Sequence, residues 1–454
     1  MKSYEEATKI IIVLSYATSF RYYENMKKSL LKFLLSWIYN IISFFTYVYF
    51  IFYLEIYNLR GMPYNKERIT YTFLLFIFLY GYIIIIITGW YKSKNMIALR
   101  NRIDRVDENL KEIGIKIEYQ SVYRKVKITG LIWLIHWITL IGLFSNFTLK
   151  YKKRISEIII TFSYVYITNV ESLALYDYDI FIHWLRLRFE QTNQLLETTL
   201  SGNDGTKMEK ESKEDAILKS NPNFRNRSRL NSWSFERFLL GSQIFPVNHV
   251  PSSKQESQSE EKIRLVQQIR SAQLQLSNVS KMTNNVYNVQ LLTYTFTIMI
   301  YIIIHTYYIY VEIQRTTDVK KLLQMIIIFI WNSFGNFMKI TYIAYYCECT
   351  INEAKKTINI IHSYPLDEKD IELKNEFLQF CFQISYTRLE ESKTIDYKIN
   401  YCYIRHCISF MLSYVIIMIQ WSQNSSIKDH ISVENVTSYN LSNVQTTNQS
   451  SIDV

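Results

Sequence analysis

Apolar residues are gathered into long blocks that alternate with strongly polar segments along the 454-residue chain. Six blocks are free of charged residues, and they lie at 33–54, 69–91, 128–149, 282–311, 322–338 and 407–421. A helix needs roughly 20 apolar residues to cross the hydrocarbon of a bilayer, whereas strands of soluble sheets run to about 3–10 residues. The blocks therefore predict membrane-spanning helices and not buried strands.

A seventh block, 155–176, contains two carboxylates, Glu157 and Glu171, one near each end. A carboxylate in the middle of a span costs several kcal/mol, but one near an interface can reach water. With this block counted, the pattern predicts an all-α membrane protein with seven transmembrane helices.

Composition agrees with such a protein. The chain has only 10 Gly and 5 Pro, while 16% of its residues are aromatic and 20% are charged. These values exclude collagen-like, disulfide-scaffold and wholly disordered chains. The net charge of +11 is spread over the polar segments. That spread suits loops facing anionic membrane lipid and indicates no nucleic-acid partner.

The distribution of basic residues predicts the orientation. Alternate loops hold 37 of the 51 Lys and Arg residues on one side and 11 on the other. Because Lys and Arg accumulate in cytosolic loops, we expect a cytosolic N-terminus and, after seven spans, an extracellular C-terminus. The tail agrees, since it carries four acceptor sequences for N-glycosylation, at Asn424, Asn435, Asn440 and Asn448.

The five cysteines lie on the predicted cytosolic side or just inside the bilayer. An extracellular disulfide framework is therefore not expected, and no ligand spacing typical of a metal site is present. We expect no cofactor. The predicted organisation is an N-terminal cytosolic segment (1–32), helices one to four (33–176), a cytosolic loop (177–285) with a disordered insert at about 201–261, helices five and six (286–346), a cytosolic helical anchor segment (347–398), the last helix (399–421) and an extracellular tail (422–454).

Two cytosolic segments have apolar stripes at helical spacing. One runs through Leu265, Ile269, Ala272, Leu276, Val279 and Val286 and continues without a break into the fifth span. The other follows Pro365 and a predicted N-cap at Asp367, and it contains Leu373, Phe377, Phe380 and Ile384. Exposed apolar stripes need a cover, which is either packing within the subunit or an anchor between subunits.

The last span contains Tyr414, five apolar residues, Gln420 and Trp421. This ending resembles the signature of insect gustatory receptors, Thr-Tyr, five hydrophobic residues and Gln-Phe, with Ser413 in place of Thr and Trp in place of Phe. The stretch 350–421 resembles that family well, the segment 262–292 loosely, and the earlier spans by their layout. The polar segment 201–261 departs from the family's compact loop.

The resemblance implies a ligand-gated cation channel in the plasma membrane of a sensory neuron. It implies a homo- or heterotetramer whose last helices surround a pore, with Tyr414, Gln420 and Trp421 in the gate region. Sugar receptors of this family have Glu after the Tyr, and Val415 stands there in this chain. The implied ligand is therefore a small non-sugar tastant, such as a bitter compound.

Gln420 indicates a pore independently, because an amide in hydrocarbon needs partners. A ring of amides around an aqueous path would supply them and could bind partly dehydrated cations; a single hydrogen bond to a neighbouring helix is the alternative. For Tyr414, too, a hydrogen bond to another helix is the alternative. Arg405 is expected to reach water from the inner end of the span.

If the family plan holds, a ligand pocket lies among the outer halves of spans two to six. Aromatic walls with a few polar groups suit a small amphiphilic ligand, and ordinary packing is the alternative for each residue. The two histidines are ionisable groups within spans, which are functional candidates by default. The candidates are His136, Trp137, Tyr164, Tyr301, His305, Trp331 and Asn332.

Three other classes of membrane protein are alternatives. A G-protein-coupled receptor requires the opposite orientation and usually an extracellular disulfide. A polytopic membrane enzyme needs catalytic groups at one depth, and no such spacing is present. An insect odorant receptor shares the plan, but the Tyr–Gln–aromatic ending favours the gustatory branch.

Overall fold

The computed structural model describes residues 3–18, 30–50, 52, 66–151, 155–201, 253–315, 317–365, 370–393 and 401–421. These ranges are almost entirely α-helical and contain no strand. The helices are α1 (Tyr4–Ala17), α2 (Leu30–Phe50), α3 (Lys66–Tyr91), α4 (Ser93–Glu112), α5 (Gln120–Tyr151), α6 (Ile155–Ser201), α7 (Ser253–Arg315), α8 (Val319–Ser363), α9 (Ile371–Lys393) and α10 (Tyr401–Trp421). The predicted all-α fold is confirmed.

Four helices among the described residues are long and apolar enough to cross a membrane. These are α5, α7, α8 and α10, and the segment Leu79–Tyr91 of α3 is a shorter apolar helix. The first predicted span lies on α2 and the weakest one on α6. The number of seven spans and their orientation stay predictions.

Three helices run without a break from an apolar span into a polar segment. Helix α6 has 47 residues, α7 has 63 and α8 has 45. The sequence predicts that the fifth span and the apolar stripe before it form one helix, and α7 contains both. This helix begins at Ser253, inside the segment 201–261 expected to be disordered, and Gln, Glu and Lys there are good helix formers. Residues 202–252 lie outside the described ranges.

Helix α8 ends where the sequence places a break. Tyr364 is extended, as the residue before a proline tends to be. The predicted N-cap, Asp367, lies outside the described residues. Helix α9 starts at Ile371, and the backbone N–H of Lys374 donates to the carbonyl of Asp370.

The polar ends of the helices form a packed layer, which we call the basal region: α1, α4, α9 and residues 177–201, 262–290 and 346–363. Helix α1 was not expected from the sequence. Ser3 caps it by accepting from the N–H of Glu6, and the Tyr4 ring lies 5.5 Å from Phe181 and 6.3 Å from Trp184. This layer packs the polar ends of the long helices against one another.

Both predicted apolar stripes are covered inside the subunit. Leu373, Phe377 and Phe380 of α9 are buried in a cluster with side chains of α6, α7 and α8. The stripe on α7 is buried from Ile269 to Val286, with Leu265 partly buried. An anchor between subunits, which stays a prediction, would have to use other faces of these helices.

Candidate functional site

Helix α10 has one polar line along its length. Residues spaced three or four apart lie above one another on a helix, and six such positions between 402 and 420 are all exposed. They are Cys402, His406, Ser409, Ser413, Ile416 and Gln420. The predicted gate residue Gln420 is therefore the last member of a stripe of five polar residues and one isoleucine.

The opposite side of α10 packs against its own subunit. Ile404 joins the main core cluster, Cys407 is buried, and Tyr403 is partly buried beside them. Ile404 lies two residues after Cys402, about 200° around the helix. The polar stripe thus points away from the subunit, where lipid alone would leave a glutamine amide without partners.

The other two predicted gate residues lie beside this stripe and not on it. Tyr414 and Trp421 are both about half exposed, and they are turned roughly 100–120° from the line through Gln420. The Tyr414 ring packs against Phe410 at 4.4 Å. The structure therefore separates Gln420 from the aromatic residues.

Two of the predicted ligand residues form a hydrogen-bonded network between α7 and α8. The Asn332 amide donates to the Tyr301 hydroxyl at 2.7 Å, and the Asn336 amide donates to Asn332 Oδ1 at 2.9 Å. Asn336 Oδ1 also accepts from the Tyr294 hydroxyl at 3.0 Å and from Lys339 Nζ at 3.2 Å. Tyr294, Tyr301, Asn332 and Asn336 are all buried.

The predicted His305 lies at the end of this network that is farther from the basal region. Its ring centroid is 3.9 Å from that of Tyr301 and 6.1 Å from that of Phe329, to which it is parallel. Its Nδ1 is 3.1 Å from the Tyr301 carbonyl oxygen, one turn earlier. His305 is thus held by its own helix and by an aromatic ring of α8.

Another pair of predicted residues meets between α5 and α8. The His136 ring stacks near Trp331 with a centroid distance of 6.2 Å and an interplanar angle of 21°. Gly335 permits this approach, because a Cβ there would lie 2.4 Å from His136 Cε1. Trp137 stacks on Trp133 at 5.7 Å. Tyr164 is on α6, and its side chain lies outside the described residues.

Glu171 departs from the expectation that it can reach water. It is fully buried, and neither carboxylate oxygen has a hydrogen-bond partner within the described ranges. A Cβ on Gly81 would lie 2.6 Å from Glu171 Oε1 and 2.8 Å from Thr297 Oγ1. Glu171 therefore sits where α3, α6 and α7 meet, and a buried ionisable group of this kind is a candidate functional position.

Sequence reasoning missed several residues of these sites. Asn336 and Lys339 continue Asn332 at spacings of four and three, which is a signal for one helix face. The same spacing of three or four residues connects Gln420 with Ser413, Ser409, His406 and Cys402. Within the part of the chain that the structure describes, no three His, Cys, Asp or Glu side chains are grouped to hold a metal ion.

The chain thus forms an apolar helical bundle that has buried polar groups and a polar face on α10 turned away from the subunit. A family model described as 7tm Chemosensory receptor matches residues 13–425. The chain belongs to this chemosensory receptor family. The match confirms the resemblance to the chemoreceptor superfamily, and it is to the family as a whole, so the gustatory assignment stays a prediction.

Membership places this receptor among membrane chemoreceptors that bind small molecules, in a family of receptors and channels and not of enzymes. No curated protein matches this receptor in sequence. The four predicted glycosylation sites in the tail lie outside the described residues.

Proposed function

We propose that this receptor is a ligand-gated cation channel in which several copies, four by the family resemblance, surround a shared pore with α10. The observation that carries the proposal is the polar stripe from Cys402 to Gln420, which points away from the buried face at Ile404 and Cys407.

The polar side chains of the stripe have a lower free energy in contact with water than in contact with lipid. Placing a hydroxyl or amide in an apolar medium without a hydrogen bond costs roughly 2–7 kcal/mol. Ser413 satisfies its own hydroxyl by donating to the Ser409 carbonyl at 2.9 Å. Water in a pore would form hydrogen bonds with the Gln420 amide at the outer end and with the His406 imidazole at the inner end. These bonds would remove the cost of leaving the two groups without partners.

The ligand binds, in this proposal, among α3, α5, α6, α7 and α8, near the Tyr301–Asn332 pair and the stacked His136 and Trp331. These groups combine aromatic surface with a few donors and acceptors, which suits a small amphiphilic tastant. Val415 favours a non-sugar compound, as the resemblance implies. Helix α8 carries Asn332 and continues into the basal region, so it can pass a ligand-induced shift to the inner end of α10.

Substitutions on two faces of α10 test the pore. In cells expressing the receptor, Gln420→Ala should change conductance or basal leak while surface expression stays normal. Met411→Ala on the half-buried side of the same helix is the matched control and should leave the permeation properties unchanged. Equal currents from wild type and Gln420→Ala at equal surface level would contradict the proposal.

The orientation is tested separately. An epitope placed after Ile431 should be reached by antibodies in intact cells, because the tail is proposed to be extracellular. Enzymatic deglycosylation should lower the apparent mass of the surface-labelled receptor. An epitope reached only after permeabilisation would reverse the orientation and remove the basis for an outward-running α10.

A further inference from the structure

Cys402 and His406 form a pair at the basal end of the polar stripe. They are one helical turn apart, both are exposed, and the distance from Cys402 Sγ to His406 Nδ1 is 3.8 Å. Thiolate sulfur and imidazole nitrogen are the two most common ligands of zinc in proteins.

The distance fits two ligands of one tetrahedral ion. With Zn–S near 2.3 Å and Zn–N near 2.05 Å, a tetrahedral angle puts the sulfur and nitrogen about 3.6 Å apart. The observed 3.8 Å therefore needs only a small side-chain adjustment to close on a metal. Both side chains already point to the same side of α10.

One subunit supplies only two ligands. No third His, Cys, Asp or Glu side chain joins this pair among the described residues. Zinc in closed protein sites takes four ligands, so a complete site requires ligands from outside the subunit. The pair lies on the face of α10 that is turned away from its own core, which is where a second copy must stand if α10 lines a shared pore.

We propose that Cys402 and His406 of two neighbouring subunits together bind one soft divalent cation of the Zn²⁺ class at the inner mouth of the pore, and that the bound ion reduces the current. This inference rests on the proposed channel assembly. Two thiolates and two imidazoles make a neutral set around Zn²⁺, which offsets the repulsion from the exposed Arg405 nearby in sequence. Thiolate and imidazole favour Zn²⁺ over Mg²⁺ and Ca²⁺, which prefer oxygen ligands.

The first test measures binding of Zn²⁺ alone to the purified full-length receptor in lipid nanodiscs. We expect about one ion for every two chains, and a loss of affinity of roughly tenfold or more in Cys402→Ser and in His406→Ala. Cys407→Ser is the matched control, because Cys407 is buried on the other face of the same helix. It should bind Zn²⁺ as the wild type does.

The second test applies Zn²⁺ or Cd²⁺ to the cytosolic face of excised patches and records the current. Block that is present in the wild type and in Cys407→Ser, and absent in Cys402→Ser, supports the inference. Oligomer size and the Gln420→Ala current are measured in the same preparations, so that the two proposals are separated.

Three results overturn the inference. An assembled, conducting receptor whose Zn²⁺ affinity and block are unchanged in Cys402→Ser removes the metal site and leaves the channel standing. Binding of one ion per chain contradicts a site shared between subunits. A receptor that is monomeric and carries no current removes the channel proposal and the shared site together.

Discussion

Arg188 of α6 donates to Asp107 of α4 in the middle of the basal region, at 2.6 Å through Nε and 3.3 Å through Nη2. Both side chains are fully buried. Asp107 also accepts from the Tyr119 hydroxyl at 2.8 Å and from the Trp184 indole at 3.2 Å. One carboxylate thus joins α4 and α6 to the residue that precedes α5.

Asp107→Ala should destabilise the basal region strongly. Removing one partner of a buried pair leaves an unpaired charge, which costs about 3–5 kcal/mol. We expect a lower thermal midpoint of the detergent-purified receptor and less receptor at the cell surface. Glu108→Ala, at the neighbouring exposed position, is the control and should change neither. The double change Asp107→Leu with Arg188→Met should be milder than Asp107→Ala, since no lone charge remains; an equal loss would refute the pairing argument.

Tyr301→Phe should lower sensitivity to the ligand. It removes the hydroxyl that accepts from the Asn332 amide at 2.7 Å, and an unpaired buried amide costs about 1–3 kcal/mol. The concentration for half-maximal response, measured by calcium imaging, should rise several-fold or more at normal surface level. Tyr308→Phe on the same helix, at an exposed tyrosine, should leave the response unchanged. Equal responses in the two variants would place the ligand elsewhere.

Gly335→Ala should displace His136. The new Cβ would stand 2.4 Å from His136 Cε1, so the ring must move by about an ångström to reach ordinary contact. This shift separates His136 from Trp331, and we expect a weaker ligand response in a dose–response measurement. Gly142→Ala on α5 meets nothing within 4 Å and should be neutral. A normal response in Gly335→Ala would exclude the His136–Trp331 stack from the ligand site.

The basal region should lose stability as the pH falls from about 6.5 towards 4. Burial, together with the positive charges of Lys125, Arg186 and Arg188, lowers the pKa of His183 to about 4. In the unfolded chain His183 has a pKa near the usual 6.5, so it binds a proton at a higher pH than in the folded receptor. The contribution of neutral His183 to the free energy of unfolding is therefore fully present above pH 6.5 and declines as the pH falls through this window. Since His183 is partly exposed, we expect about 1–2 kcal/mol after solvent screening.

The measurement is the thermal midpoint of the purified receptor at pH 7.5 and pH 4.5. His183→Gln should reduce the difference between the two values, while His362→Gln, at an exposed position, should not. An unchanged difference in His183→Gln would assign the pH dependence to other groups.

Local patterns in the chain predict most of the helices, although not α1. Charge-free blocks longer than a soluble strand predict spanning helices, and the uninterrupted sequence before the fifth span predicts that α7 is one helix. Pro365 marks the end of α8 because a proline disfavours helical geometry in the residue before it. The spacing from Tyr414 to Gln420 was readable in the same way, since it depends only on neighbours along the chain.

Contacts between distant segments were decided by the tertiary structure. Glu171 stands near the end of an apolar block, yet it is buried beside Gly81 and Thr297, which are far away in sequence. The same holds for Asp107 with Arg188, and for His136 with Trp331. A one-dimensional pattern indicates which residues share a helix face, as the stripe from Cys402 to Gln420 does. Which face is buried is decided by the packing of Ile404 in the core, because burial depends on how the helices pack around each other.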